Sequence, residues 1–394
     1  MHPLLIHNAR IITESAFIPH GWLLCENGII RAYAEGMPPS LDDAHDSLNA
    51  QGAWLAPAFI DVHVHGAMNA ELMDGTPDAL ATMGAFYAQH GVASYLPTTL
   101  SGARDDLLRA LRAVATYARQ PHEAQIIGVH LEGPYLNVAK CGAQKPEHIR
   151  LAHHEEANAL LDTGVIRLLS LAPEFEENQW LIAECVARGI TSSIAHTNAT
   201  YEQALHAFAL GITHSTHTFN AMTGLHHRLP GVVGAVMGDA RVRCELIADL
   251  VHVHEGAIRA LFAAKGTSGL ILITDAMRAS GMPDGQYALG EHTVTVADGT
   301  ATLVNGTLAG SIATYDACVQ NFVRVIGKPF DELWQVTSLT PAQAVGVADR
   351  KGSIALGKDA DLVLLDDALN VRATVILGGL VPRSASALSP QEQC

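Results

Sequence analysis

Charge is scarce in this sequence: only 16% of its 394 residues are Asp, Glu, Lys or Arg, and the 40 acids outnumber the 24 bases. The shortage of Lys and Arg, with a net charge of -16, excludes a general affinity for nucleic acid or an anionic membrane and leaves only a local basic pocket to hold a phosphate. A small-molecule substrate is the expected partner. Cysteine is sparse too: Cys25, Cys141, Cys185, Cys244, Cys318 and Cys394 form no CxxC pair and no dense framework, which excludes a disulfide scaffold and reads as reduced thiols. No run approaches the roughly 18 uninterrupted apolar residues of a membrane span, and no basic start leads into an apolar stretch, so the cytoplasm is the expected location. What the chain has in quantity is hydrophobic residues, at 48%, which argues against disorder. The length fits a barrel of roughly 250 residues with a small accessory domain.

The two ends read alike. Short strands are expected at 4–6, 9–13, 21–25 and 29–34, with Gly28 and Gly36-Met37-Pro38-Pro39 as turns, and again at 352–354, 361–365 and 371–377. Both ends are expected to pair into one small β-sandwich domain, residues 1–56 plus 354–394, beside a catalytic domain of residues 57–353. The last dozen residues read as frayed. Between the ends, apolar strands at 59–65, 94–99, 126–132, 166–172, 191–196, 213–218, 242–248 and 270–275 alternate with helix formers such as 104–117 and 179–188. Gly91, Gly164, Gly189 and Gly211 stand where helices would stop. Eight parallel strands with crossover helices close into an α/β fold of the (β/α)8 TIM-like barrel type, whose chemistry sits at the strand C-termini. The open doubly wound sheet competes, but no Gly-x-Gly-x-x-Gly follows a strand.

The strand ends carry the chemistry. In Phe59-Ile60-Asp61-Val62-His63-Val64-His65-Gly66, strand alternation puts His63 and His65 on one face, as a metal-ligand pair. A lone histidine among 21 is usually a hydrogen-bonded core or surface residue, so the pair needs company. Company comes from Glu132 before Gly133-Pro134, from His196, from His217, and from Asp275, which ends an apolar run where a charge is costly unless paired or metal-bound. His130 lies deeper than Glu132, in a supporting or packing role. His214 reads as a packing residue on the opposite parity from His217. Four histidines and two carboxylates at the ends of five strands point to hydrolysis: His63 and His65 could hold one cation, His196 and His217 another, with Glu132 shared. The cation would make water a nucleophile and Asp275 would serve as the general base.

These motifs resemble the amidohydrolase superfamily, and within it the N-acetylglucosamine-6-phosphate deacetylase family. The likeness runs from Ala56-Pro57 to Asp361-Leu362 and is most specific in His130-Leu131-Glu132-Gly133-Pro134, Ala195-His196-Thr197-Asn198, Thr216-His217-Thr218-Phe219-Asn220-Ala221-Met222 and Thr274-Asp275-Ala276. It implies hydrolysis of the acetamide of an N-acetyl amino sugar 6-phosphate to acetate and the amino sugar phosphate. It also implies Glu132, His196 and His217 as principal metal ligands, Asp275 as the catalytic aspartate, Asn220 and Ala221 as sugar contacts, and Arg228 and His252 as phosphate contacts. Arg228 would come from the neighbouring subunit of a homodimer. Leu308, Ala309 and Gly310 resemble the family's substrate-side loop.

Two features bear on that likeness. Both His63 and His65 are present where some family members lack the pair, so one or two divalent ions fit, zinc first, with iron, manganese, cobalt or cadmium as alternatives. The family's carbonyl-polarising histidine is replaced by Gln144, beside Ala143, in Cys141-Gly142-Ala143-Gln144-Lys145. A glutamine amide donates a hydrogen bond to an oxyanion but brings no charge, which opens the galacto epimer as an alternative substrate. A cyclic-amide hydrolase or deaminase would keep the metal residues without a phosphate site. A non-catalytic scaffold on the same barrel would lose ligands or the strand-eight acid.

Overall fold

The computed structural model describes residues 2–38 and 46–382; the expected fraying at 383–394 and Cys394 lie outside them. Eight strands run parallel around a ring: Phe59–Val64, Val92–Pro97, Val129–Glu132, Ile166–Leu171, Thr191–Ile194, His214–Ser215, Arg243–Ile247 and Leu270–Ile273. Bridges from Thr98 to His130 and from Val64 to Ala276 join the two hydrogen-bonded arcs, so the ring closes on itself. Strands buried on both faces need continuous apolar runs, and Leu270–Ile273 reads Leu-Ile-Leu-Ile with every side chain buried.

A helix follows each strand: Pro77–Gln89, Arg104–Thr116, His154–Leu161, Glu176–Arg188, Tyr201–Leu210, Gly231–Gly238, Glu255–Lys265 and Tyr315–Ile326. Local chemistry sets their ends. Thr200 caps Tyr201–Leu210 by accepting from the Gln203 amide at 3.2 Å while Gln203 returns the bond to the Thr200 amide at 2.9 Å. Gly189 ends Glu176–Arg188 in the left-handed conformation, φ 69°, which a side chain would resist.

Strands from both chain ends form one eight-stranded sheet, in the order Gly379–Leu380, Val371–Ile376, Leu362–Leu365, Trp54–Pro57, Leu4–Ile12, Phe17–Glu26, Ile29–Glu35, with Asp46–Asn49 also beside Leu4–Ile12. It encloses its own apolar cluster around Ile6, Ile11, Leu23, Leu55 and Leu362. The expected strand at 352–354 does not form. Ile354 is buried in that cluster and its carbonyl accepts from Glu14 N at 3.2 Å, but the segment has no ladder.

A buried network pins this sheet to the barrel. Lys351, 2% exposed, gives its ammonium to Asp361 Oδ2 at 2.7 Å and Gln125 Oε1 at 3.1 Å, and pairs with Asp359 Oδ2 at 2.8 Å. Gln125 in turn donates to both Asp361 oxygens, at 3.1 and 2.9 Å.

One element lies outside the barrel pattern. Gly285–Leu289, His292–Ala297 and Thr300–Thr302 form a three-stranded antiparallel sheet between the eighth strand and its helix. Leu289, Val294, Val296 and Ala301 pack with Met277 and Leu100 beneath it, beside the barrel mouth.

Candidate active site

Several of the residues expected inside strands stand just beyond them. The fifth, sixth and eighth strands end at Ile194, Ser215 and Ile273, and His196, His217 and Asp275 each follow two residues later with φ of 42°, 30° and 51°. Left-handed backbone at a non-glycine residue costs about 1–3 kcal/mol, and it persists where surrounding structure over-determines it. Here the three kinks turn side chains from separate strands toward one point. His65 likewise lies one residue past its strand, whereas Glu132 is the last residue of the third.

At that point Glu132 lies between two groups of rings. Its Oε1 is 3.1 Å from His196 Nε2 and 3.0 Å from His217 Nε2, and those two nitrogens are 3.0 Å apart. Its Oε2 is 3.4 Å from His65 Nε2 and 3.7 Å from His63 Nε2. Asp275 Oδ1 faces the same two nitrogens at 3.2 and 3.4 Å. Donors about 2.0–2.1 Å from one zinc ion lie roughly 2.9 Å apart along an octahedral edge and roughly 3.4 Å along a tetrahedral one, so the near-equilateral triangle of Glu132, His196 and His217 has the size of a coordination face. His63, His65 and Asp275 form a second such group. The buried His63 Nε2 has no hydrogen-bond partner, as befits a lone pair aimed at a cation. The site thus fits one or two divalent ions.

The far sides of the rings set their tautomers. His196 Nδ1 donates to the Lys140 carbonyl at 2.8 Å, His65 Nδ1 to the Thr98 carbonyl at 3.3 Å, and His63 Nδ1 to Glu245 Oε2 at 2.9 Å. Each bond holds the proton on Nδ1 and leaves Nε2 to bind. Without a cation, burial opposes charging His63, but Asp275, Glu132 and Glu245 overcome it and hold its pKa well above the usual histidine range. Burial is likewise overcome at His65, where Asp275 and Glu132 push the pKa up to about 9. The same rings outweigh the burial of Glu132 and Asp275 and keep both carboxyls below their ordinary values.

A cavity of about 450 Å³ opens over the site, lined among others by His65, Glu132, His196, His217, Asn220, His252 and Asp275. Asn220 Nδ2 donates to the His217 carbonyl at 3.1 Å, and Ala221, φ 52°, takes the Thr197 amide on its carbonyl at 3.0 Å. His252 Nδ1 lies 2.7 Å from Asp249 Oδ2; burial opposes its protonation, yet Asp249 raises its pKa. Ala143, Leu308 and Gly310 reach the cavity wall.

One expectation is corrected, and two further residues are placed. Ala309 does not face the cavity; it is fully buried with Leu289 and Val294. Arg228 is exposed on the loop after the sixth strand and is absent from the cavity wall of its own chain. Gln144 lines the cavity, but its amide is already engaged: Nε2 donates to Glu132 Oε2 at 2.8 Å, and Oε1 accepts from Ser101 N at 2.6 Å. It braces the shared carboxylate with one of its two amide hydrogens.

The chain is similar to known proteins. The sequence model of the amidohydrolase family matches residues 54–381. The chain belongs to the amidohydrolase family. An N-acetylglucosamine-6-phosphate deacetylase of Lysinibacillus sphaericus is 37% identical over 336 residues, 84% of this chain and 87% of that protein. An N-acetylgalactosamine-6-phosphate deacetylase of Escherichia coli O157:H7 is 37% identical over 374 residues, 94% and 97% of the two chains. The solved structure of a mutant N-acetyl-D-glucosamine-6-phosphate deacetylase from Mycobacterium smegmatis, in complex with N-acetyl-D-glucosamine-6-phosphate, superposes with a TM-score of 0.89 at 33% identity, covering 97% of this chain and 100% of that one.

As amidohydrolases are metal-dependent, the supports of the ligands matter, and sequence reasoning missed the main one. Glu245, fully buried in Arg243–Ile247, accepts from His63, from His214 Nε2 at 2.8 Å and from the His217 amide at 3.0 Å. The signal was present: an acid inside Cys244-Glu245-Leu246-Ile247 is as costly to bury as Asp275 and needs partners for the same reason. His214, expected only to pack, bonds to Glu245, and His130, expected in a supporting or packing role, stands 2.7 Å from the Ser170 hydroxyl.

Proposed function

We propose that this chain removes the acetyl group from an N-acetylated hexosamine 6-phosphate, N-acetyl-D-glucosamine 6-phosphate first, giving the amino sugar phosphate and acetate. The observation that carries the reading is the Glu132 carboxylate set between two pairs of imidazoles, with Asp275 beside it at the floor of a cavity large enough for a sugar.

His63, His65 and Asp275 would hold one divalent cation and His196 with His217 a second, Glu132 offering one oxygen to each. A nitrogen-rich set with two carboxylates suits zinc, with iron, manganese, cobalt or cadmium as the other ions such donors accept. Bound there, the cation acidifies water and polarises the amide carbonyl. Asp275, kept ionised by the neighbouring rings against its burial, takes the proton from the attacking water and returns it to the amide nitrogen as the C–N bond breaks. Asn220, Ala221, Ala143, Leu308 and Gly310 border the space for the sugar. His252, with Asp249 favouring its charged form, meets the phosphate. Arg228, exposed and clear of its own cavity, would complete the phosphate site of a second copy in a homodimer. The free thiols of Cys25, Cys141, Cys185, Cys244 and Cys318 suit a reducing cytoplasm. The two chain ends, residues 1–56 plus 354–394, would make up the accessory domain to the barrel of 57–353.

A second reading, the galacto epimer, is favoured by the relative of that specificity. Acetate release from both epimers, phosphorylated and free, with metal content measured on the same sample, tests the proposal; no release from either 6-phosphate would end it. Arg228→Ala is expected to raise KM about tenfold for phosphorylated substrate only, as the loss of a charge-assisted hydrogen bond implies.

A further inference from the structure

The proposed chemistry makes no use of Glu245, yet this fully buried carboxylate is bonded to two of the site's histidines. Its Oε2 accepts from His63 Nδ1 at 2.9 Å and from the His217 backbone amide at 3.0 Å, and its Oε1 accepts from His214 Nε2 at 2.8 Å. It therefore joins the first strand to the start of the kink that turns His217 inward. The His63 ring has no other hydrogen bond: its Nε2 faces the Asp275 and Glu132 carboxylates at 3.4 and 3.7 Å without one, and its neighbours His65, His130 and His217 meet it through ring contacts with centroids 5.3, 4.6 and 5.5 Å away. The companion ring, His65, leans on a neutral carbonyl at 3.3 Å. A charged acceptor behind an imidazole both fixes its orientation and makes its far nitrogen a stronger donor.

We propose that Glu245 is the positioning residue of the cation site formed by His63, His65 and Asp275: it locks the His63 tautomer and ring so that Nε2 meets the cation, while its bond to the His217 amide keeps that site in register with the one at Glu132, His196 and His217. The inference rests on the metal-dependent reading above and adds which residue sets the affinity of one of its two positions.

Glu245→Gln is suited to the test because the pocket accepts it. The amide oxygen can replace Oε2 toward His63 and the His217 amide, and the amide nitrogen can face His214 Nε2 if that ring moves its proton to Nδ1, which has no partner. Metal-free protein is titrated with Zn²⁺ by calorimetry and with Co²⁺ by visible absorption. Wild type is expected to take two ions; Glu245→Gln should bind one as before and the other about 10–100-fold more weakly, the usual loss when a ligand's outer partner is removed. Added to His63→Ala, Glu245→Gln should change neither affinity further, since its route is gone. Glu245→Asp keeps the charge but draws the acceptor back from His63, and should reproduce the selective loss in a barrel that retains its buried anion. Unchanged affinities in both Glu245 variants, or equal weakening of both ions that persists in the His63→Ala background, would overturn the proposal. Wild type that binds no cation overturns the underlying reading as well.

Discussion

Two clusters of buried charge, one at the barrel mouth and one where the terminal sheet meets the barrel, are built on opposite rules. Around Lys351 opposite charges meet: the ammonium donates to Asp361 and Gln125 and pairs with Asp359 at 2.8 Å, and Asp361 also accepts from a glutamine and from the Leu377 amide at 2.9 Å. At the mouth, four imidazoles and two carboxylates crowd together, yet His63 Nε2 has no hydrogen-bond partner and two ring nitrogens face each other at 3.0 Å. A lysine between two carboxylates marks a staple. Converging lone pairs that cannot satisfy one another mark a place for a cation.

The contrast can be broken by mutation. Asp275→Asn at the mouth should lower kcat about 10²–10⁴-fold, because the proton relay is lost, with folding and Tm near wild type; comparable turnover would remove Asp275 from that role. Lys351→Met at the base should do the reverse, costing about 3–5 kcal/mol in denaturant unfolding by stranding Asp359 and Asp361, while the folded enzyme keeps its kcat. Gln144→Leu should act in between, weakening metal binding about tenfold through Glu132 and the Ser101 amide while KM stays near wild type, as an equilibrium titration would read.

The smallest effect is on pH dependence and sharpens the comparison. In metal-free protein His65 has a pKa raised from 6.5 to about 9, so its contribution to stability is complete below pH 6.5 and fades as the pH rises through 9. Tm of the metal-free form should therefore fall across that window. In the loaded form a cation replaces the protons and the fall should vanish, with proton release on metal binding measurable by calorimetry in buffers of different ionisation enthalpy. Identical Tm profiles with and without metal would show that the rings do not carry those protons.

Much of the barrel was legible because buried parallel strands must be apolar and their ends must be polar: Leu270–Ile273 and the following Asp275 can be read straight from the chain. The ends of the strands were less so. Alternation continues through His196 and His217, and nothing local announces that the backbone turns left-handed there, because the kink answers to ligands arriving from other strands. The antiparallel sheet between 285 and 302 went unread because it belongs to no barrel period. Gln144 could be recognised by position but not by contact: whether its amide meets substrate or Glu132 is a matter of where Ser101 and Glu132 end up, both remote in sequence.

The sequence by itself determined the list of donors and their places at strand ends, because residue type and the two-residue period of a strand are local properties. Only the closed ring decided which oxygen of Glu132 faces which pair of histidines, that Glu245 stands behind His63, and that Arg228 lies outside the wall of its own cavity. Those are distances between strands far apart in the chain, and they come into being when the eighth strand meets the first.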